Sequence, residues 1–270
     1  MNKKVELYHS GLTITQKCTL KCKLCAGYSP YYNPQPHYSI NRLSEIIKRY
    51  FSIVDYVEKF TITGGEPFLH EDLDKILIET IKYRKQFGKI EIITNGTLFP
   101  NEKLKAVLEK YAVEDGCITL LVDHYGELSK KIHELGLYFI EKGINHKIRI
   151  YYGENAHCGG WVDFSDFSKK LFSVFQMMEK FKKCAIPSKL NYCLAIKDGE
   201  MHPCTFSHRI MELNLIERNK DEYIDLFDDN TIEQQKEKIM KLFDIKYLSA
   251  CAYCNGMCDD SVRFVPAEQL

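Results

Sequence analysis

The first two-thirds of the chain alternate between short β-rich runs and helical stretches, and this alternation limits the fold more than any other feature. "GLTIT" (11–15), "FTIT" (60–63), "KIEIIT" (89–94), "CITLLV" (117–122) and "HKIRIYY" (146–152) are rich in the β-branched and apolar residues that suit strands. Residues 39–59 place apolar side chains at Ile40, Leu43, Ile46, Ile47, Tyr50, Phe51, Val54 and Val57, a helical spacing with Ser39 as its cap. Residues 71–87 read as a helix with acids in the first turn. Further helices are expected at 101–111, 127–142 and about 166–182. Repeated strand–helix units give a parallel sheet with right-handed crossovers. Five or six units are too few for a closed eightfold barrel, so the expected class is α/β, an open partial (β/α)6 barrel. The stretches "GGEP", "TNG", "DHYG" and "YGENAHCGGW" each follow a strand directly. In such folds chemistry gathers at the carboxyl ends of the strands, which places these turns around one site.

Beyond about residue 183 the pattern changes. Cysteines cluster at Cys184, Cys193, Cys204, Cys251, Cys254 and Cys258. "YCLAIKDGEMHPC" (192–204) reads as a hairpin turning at Asp198–Gly199, and a helix at about 231–243 separates the two cysteine groups. The expected division is a partial barrel over 1–180 and a small cysteine-rich, metal-bound domain over 181–270. Lys plus Arg equals Asp plus Glu at 37 each, so the chain carries no electrostatic footprint for nucleic acid. The start, "MNKKVELYHSG", has no long apolar run, and no segment approaches a membrane span. A cytoplasmic location is expected. Thiols stay reduced there, so the 11 cysteines point to metal rather than to disulfides.

Within "QKCTLKCKLCAGYSP" (16–30), Cys18, Cys22 and Cys25 fall in eight positions. A structural zinc site wants four N/S ligands. Three thiolates on one loop suit a 4Fe–4S cube with one iron left open to a small molecule, and "AGYSP" offers no fourth ligand. This CxxxCxxC loop, together with "GGEP" at 64–67, resembles the radical S-adenosylmethionine enzymes, over roughly residues 5–165. The resemblance implies that a 4Fe–4S cluster at Cys18, Cys22 and Cys25 binds S-adenosyl-L-methionine and cleaves it reductively. The 5′-deoxyadenosyl radical so formed would take a hydrogen atom from the substrate. It implies that Glu66 and the backbone of Gly64 and Gly65 hold the cofactor's amino group. Asn95, Asp123 and His124 would offer further contacts. Leu24 stands where the family usually has an aromatic residue near the adenine. An external electron donor such as flavodoxin or ferredoxin is implied as a partner, with no nucleic acid and no membrane.

The second cysteine group, with Gly199 and Cys204 spaced as in the family, resembles the SPASM extension or its shorter form, the twitch domain, which hold auxiliary iron–sulfur clusters. That implies one auxiliary 4Fe–4S cluster on Cys204, Cys251, Cys254 and either Cys184 or Cys193, with Cys258 as the weakest ligand. A four-cysteine zinc site is the competing reading, because CxxC also suits zinc. Cys117 opens an apolar strand and reads as packing. Cys158, in a glycine-rich loop after the fifth strand, is the candidate catalytic thiol, able to return a hydrogen atom to a substrate radical. Trp161 is a candidate pocket wall and Arg149 a candidate carboxylate clamp. The expected enzyme is an oxidoreductase or epimerase acting on a carbohydrate-like or aminocyclitol substrate. The alternatives are modification of a ribosomally made peptide and a non-enzymatic zinc-binding module.

Overall fold

The computed structural model describes residues 4–191 and 193–270. β1 (Glu6–Thr15), α1 (Ile40–Ile53), β2 (Tyr56–Gly64), α2 (Leu73–Ile81), β3 (Phe87–Thr94), α3 (Glu102–Leu108), β4 (Ile118–His124), α4 (Ile132–Glu141) and β5 (His146–Ile150) alternate along the chain. Their strands lie in the order β5-β4-β3-β2-β1, all parallel. There follow α5 (Val174–Lys183), α6 (Ala185–Ser188), β6 (Leu194–Lys197), β7 (Glu200–His202), α7 (Thr205–Glu212), β8 (Ile224–Asp225) and α8 (Ile232–Phe243). β6 adds to the free side of β1 in parallel, with Ser10 opposite Leu194. β7 and β8 continue the sheet antiparallel. Six parallel strands with open edges are the partial (β/α)6 barrel expected from the sequence. The sheet also runs across residue 180, because the second cysteine-rich segment contributes strands to the same sheet.

The core follows from the two periodicities. α1 buries Leu43, Ile46, Ile47, Tyr50 and Phe51, one face at helical spacing. They pack with Leu12, Ile14, Ile62, Ile90, Ile92 and Leu120 from the sheet. Each such side chain contributes roughly 1.5–3 kcal/mol of apolar burial. Tyr50 satisfies its buried hydroxyl on Ser10 Oγ at 2.8 Å. Ile239 and Leu242 of α8 join this same core.

Several boundaries differ from expectation. α1 stops at Ile53, and Val54 and Val57 belong to the linker and to β2. Both are buried, so their apolar character continued the helical period although the backbone had turned extended. α2 ends at Ile81, and Phe87 already opens β3. Residues 166–173 are not helical; α5 starts only where Ser173 and Gln176 form a capping box. The 194–202 hairpin turns through Asp198 and Gly199, both at positive φ (48° and 94°). Residue 192, the first of the stretch quoted for it, lies outside the described residues.

Candidate active site

The cysteine loop leaves the carboxyl end of β1, and "GGEP" leaves β2 beside it. The two glycines are there because backbone passes where side chains would stand. A Cβ on Gly64 would lie 2.1 Å from Thr15 O, and one on Gly65 would lie 2.2 Å from Lys17 O. Gly65 N donates to Thr15 O at 2.8 Å, and Glu66 N to Lys17 O at 2.8 Å. The second motif is thus clamped to the root of the cysteine loop.

Glu66 stands at the junction of β2 and β3. Its side chain is fully buried and does not line the cavity described below, whereas Gly64, Gly65 and Asn95 do. Oε1 accepts from Phe68 N (3.0 Å) and Thr94 Oγ1 (2.9 Å), and Oε2 accepts from Asn95 N (2.8 Å). Burial pushes its carboxyl up to about 7 against the pull of those three donors. Three donors, one on Oε2 and two on Oε1, tie the carboxylate to the ends of β2 and β3 and leave Oε2 a second acceptor position. Asn95, fixed in this way, donates from Nδ2 to Thr19 Oγ1 (3.1 Å) and to Cys18 Sγ (3.6 Å).

The end of β4 divides by strand alternation. Asp123 faces the cavity, where Arg149 Nε donates to its Oδ1 at 2.6 Å and Tyr125 OH to its Oδ2 at 3.3 Å. His124 points to the other face. It does not line the cavity, and its ring stands against Tyr152 at 4.7 Å between centroids. His124 thus sits beside Tyr152, away from the cavity lining.

A cavity of about 440 Å³ takes in both cysteine groups. Cys18, Cys22, Leu24 and Cys25 line it from the β1 loop. Cys184, Cys204, Cys251 and Cys254 line it from the second group. The two groups pack in separate apolar clusters, one around Leu20 and Ala267, the other around Phe206 and Ile210. Burial and then neighbouring thiols push Cys251 up to about 12 and Cys254 up to about 11, and hold Cys204 well above the ordinary thiol range. Burial does the same at Cys18 (about 12) and Cys22 (about 11). Converging buried thiols are poor company for one another unless a cation draws off their protons. That donor set suits a cluster or a metal at each group.

Cys184 and Cys193, the two alternatives for the fourth ligand, lie in different places. Cys184 lies among Cys204, Cys251 and Cys254. Cys193 does not line the cavity. It immediately precedes β6, which is paired to β1, and its Sγ lies 4.0 Å from where a Cβ on Gly11 would stand. Cys193 therefore stands beside Gly11 of β1, apart from the thiols of the second group. Cys258 is buried next to the group, its Sγ directed at Lys180 O (3.6 Å). Cys117 is buried in the main core. Cys158 lines the cavity in a left-handed conformation (φ 57°) and is exposed. Trp161 forms a wall, edge-on to Tyr125 at 5.7 Å. Sequence reasoning assigned no site role to Tyr151, Lys180 and Gln269, which meet the site through the fold.

Residues 12–134 match the family described as the radical SAM superfamily. These residues, a little under half of the chain, resemble a radical SAM domain. Enzymes of that family use a 4Fe–4S cluster and S-adenosylmethionine. The GTP 3′,8-cyclase of Aquifex aeolicus is 35% identical over 101 residues, 36% of this chain and 30% of the relative. The S-adenosylmethionine-dependent nucleotide dehydratase of Selenomonas ruminantium is 35% identical over 97 residues, 36% of this chain and 33% of the relative. The chain thus spans about a third of the length of these curated relatives. Two solved structures share the fold over almost the whole chain. Native anSMEcpe with bound AdoMet and Kp18Cys peptide has a TM-score of 0.55 at 14% identity, covering 98% of this chain and 93% of that one. BtrN in complex with AdoMet and 2-DOIA has a TM-score of 0.52 at 15% identity, covering 98% and 100%.

Proposed function

We propose that this radical SAM domain and the second cysteine group work together as an enzyme on a small hydroxyl-bearing substrate, carbohydrate-like or aminocyclitol, oxidising or epimerising a carbinol carbon. The observation that carries this reading is the single cavity reached by both thiol groups. Cys18, Cys22 and Cys25 hold the cofactor-binding 4Fe–4S cluster within residues 1–180. Cys184, Cys204, Cys251 and Cys254 hold an auxiliary 4Fe–4S cluster within 181–270. When bound, S-adenosylmethionine on its cluster supplies a carbon-centred radical that takes a hydrogen atom. The chain binds, orients and excludes water. Backbone at Gly64 and Gly65 receives the cofactor's amino group, Leu24 gives an aliphatic wall for the adenine, and Asn95 steadies Cys18. The Asp123–Arg149 pair presents fixed charge to substrate hydroxyls. The Cys158 thiol is the hydrogen-atom donor if the outcome is epimerisation. An external flavodoxin or ferredoxin delivers electrons, and a cytoplasmic setting keeps the thiols reduced.

The peptide-bound anSMEcpe structure, of the same fold, gives peptide modification as the second reading. An anaerobic assay with sugars, aminocyclitols, a nucleoside triphosphate and peptides decides between them by following 5′-deoxyadenosine above its uncoupled background. Stimulation by a polyol is expected. Stimulation only by a peptide or a nucleotide overturns the substrate class. In heavy water, epimerisation incorporates deuterium at the reacting carbon and oxidation does not.

A further inference from the structure

Residues 264–270 close over the cysteine loop. Trp161 and Phe264 exchange backbone hydrogen bonds at 2.9 and 2.8 Å. Further on, Lys23 N donates to Glu268 O (2.7 Å) and Leu270 N to Lys21 O (2.9 Å), with Cys22 opposite Gln269 in a β-bridge. Between these ties Ala267 is buried against Leu20 and Cys22, held at a φ of 56° that a non-glycine residue rarely adopts. The side-chain amide of Gln269 has every polar atom placed. Its Oε1 accepts from Lys21 N (2.8 Å), and its Nε2 donates to Ala267 O (2.6 Å) and to Cys22 Sγ (3.3 Å). The orientation is fixed by chemistry: a backbone N–H only donates and a carbonyl only accepts, so the NH2 must face the sulfur. Cys22 receives this bond from a residue 247 positions away.

We infer that Gln269 is a positioning residue for the cluster held by Cys18, Cys22 and Cys25, and that its N–H···S bond sets that cluster's reduction potential. The inference rests on the function proposed above. A donor on a ligand sulfur stabilises the reduced, more negative cluster more than the oxidised one, and so raises the potential. Simple exposure of the cluster to water also favours the more charged reduced form. Loss of the donor and loss of the cover therefore move the potential in opposite directions.

The test is a potentiometric titration of the anaerobic holoenzyme followed by electron paramagnetic resonance, using the part of the signal that S-adenosylmethionine perturbs. Gln269→Met, which keeps length but has no donor, is expected to shift the potential negative with iron content unchanged. Gln269→Lys, which restores a donor, is expected to sit at or above wild type. Hydrogen exchange at Lys23 and Leu270 reports whether the segment stays docked. An unchanged or raised potential in Gln269→Met, or the same shift in both variants, overturns the inference. If wild type holds no iron at Cys18, Cys22 and Cys25, the functional reading itself fails; if it does and Gln269→Met matches it, only the role of Gln269 fails.

Discussion

Cys184 and Cys193 show how a single residue's role depends on the strand beside it. Both thiols precede the hairpin within one short stretch, and both look like ligands by spacing. β6 pairing carries Cys193 to Gly11 and leaves Cys184 with Cys204, Cys251 and Cys254. Cys184→Ala should lower iron from about eight to about four per chain, the content of one 4Fe–4S cube. Cys193→Ala should leave iron unchanged. Iron and sulfide analysis of the anaerobic proteins checks both. The zinc reading predicts stoichiometric zinc and no sulfide in either variant. Glu66 shows the same dependence in another form, for its buried neighbours already use three of the acceptor positions that its carboxylate offers.

At the scale of elements, the β6–β7 hairpin is tied to the chain that follows it by Glu200. Burial opposes ionisation, but the hydrogen bond from His202 and the Arg218 guanidinium hold the carboxyl down at about 2. A carboxyl depressed in the folded state contributes stability above its ordinary value of 4.5 and loses it as the pH falls from there toward 2. Glu200→Gln should therefore lower the urea midpoint at pH 6 and show a shallower fall between pH 5 and 3 than wild type. Parallel unfolding series by circular dichroism check this. The alternation of strands and helices was legible because each element buries one face at its own period, as Leu43, Ile46, Ile47 and Tyr50 do on α1. The ends were less legible. Val54 and Val57 are apolar because they are core, whatever the backbone does there. The cysteine loop and "GGEP" could be read because their chemistry is local in sequence. Gln269 could not be, because only the folded chain brings its amide to Cys22.

Across the whole molecule, two separate cysteine groups opening on one cavity call for two clusters that load independently. With Cys18, Cys22 and Cys25 all changed to alanine, about four irons per chain should remain and cofactor cleavage should vanish. Retention of no iron would mean that the second group holds no cluster. The sheet order has a further consequence, in the time domain of synthesis. The cysteine loop leaves the ribosome well before β6, which flanks its strand, and Gln269, which bonds its sulfur. Pairings of such large sequence separation form late and slowly. Until those later segments emerge, the three thiols of the loop are uncovered on a strand lacking one neighbour. That is an interval open to a cluster-delivering partner and equally to oxidation, and it closes when the segment around Gln269 docks.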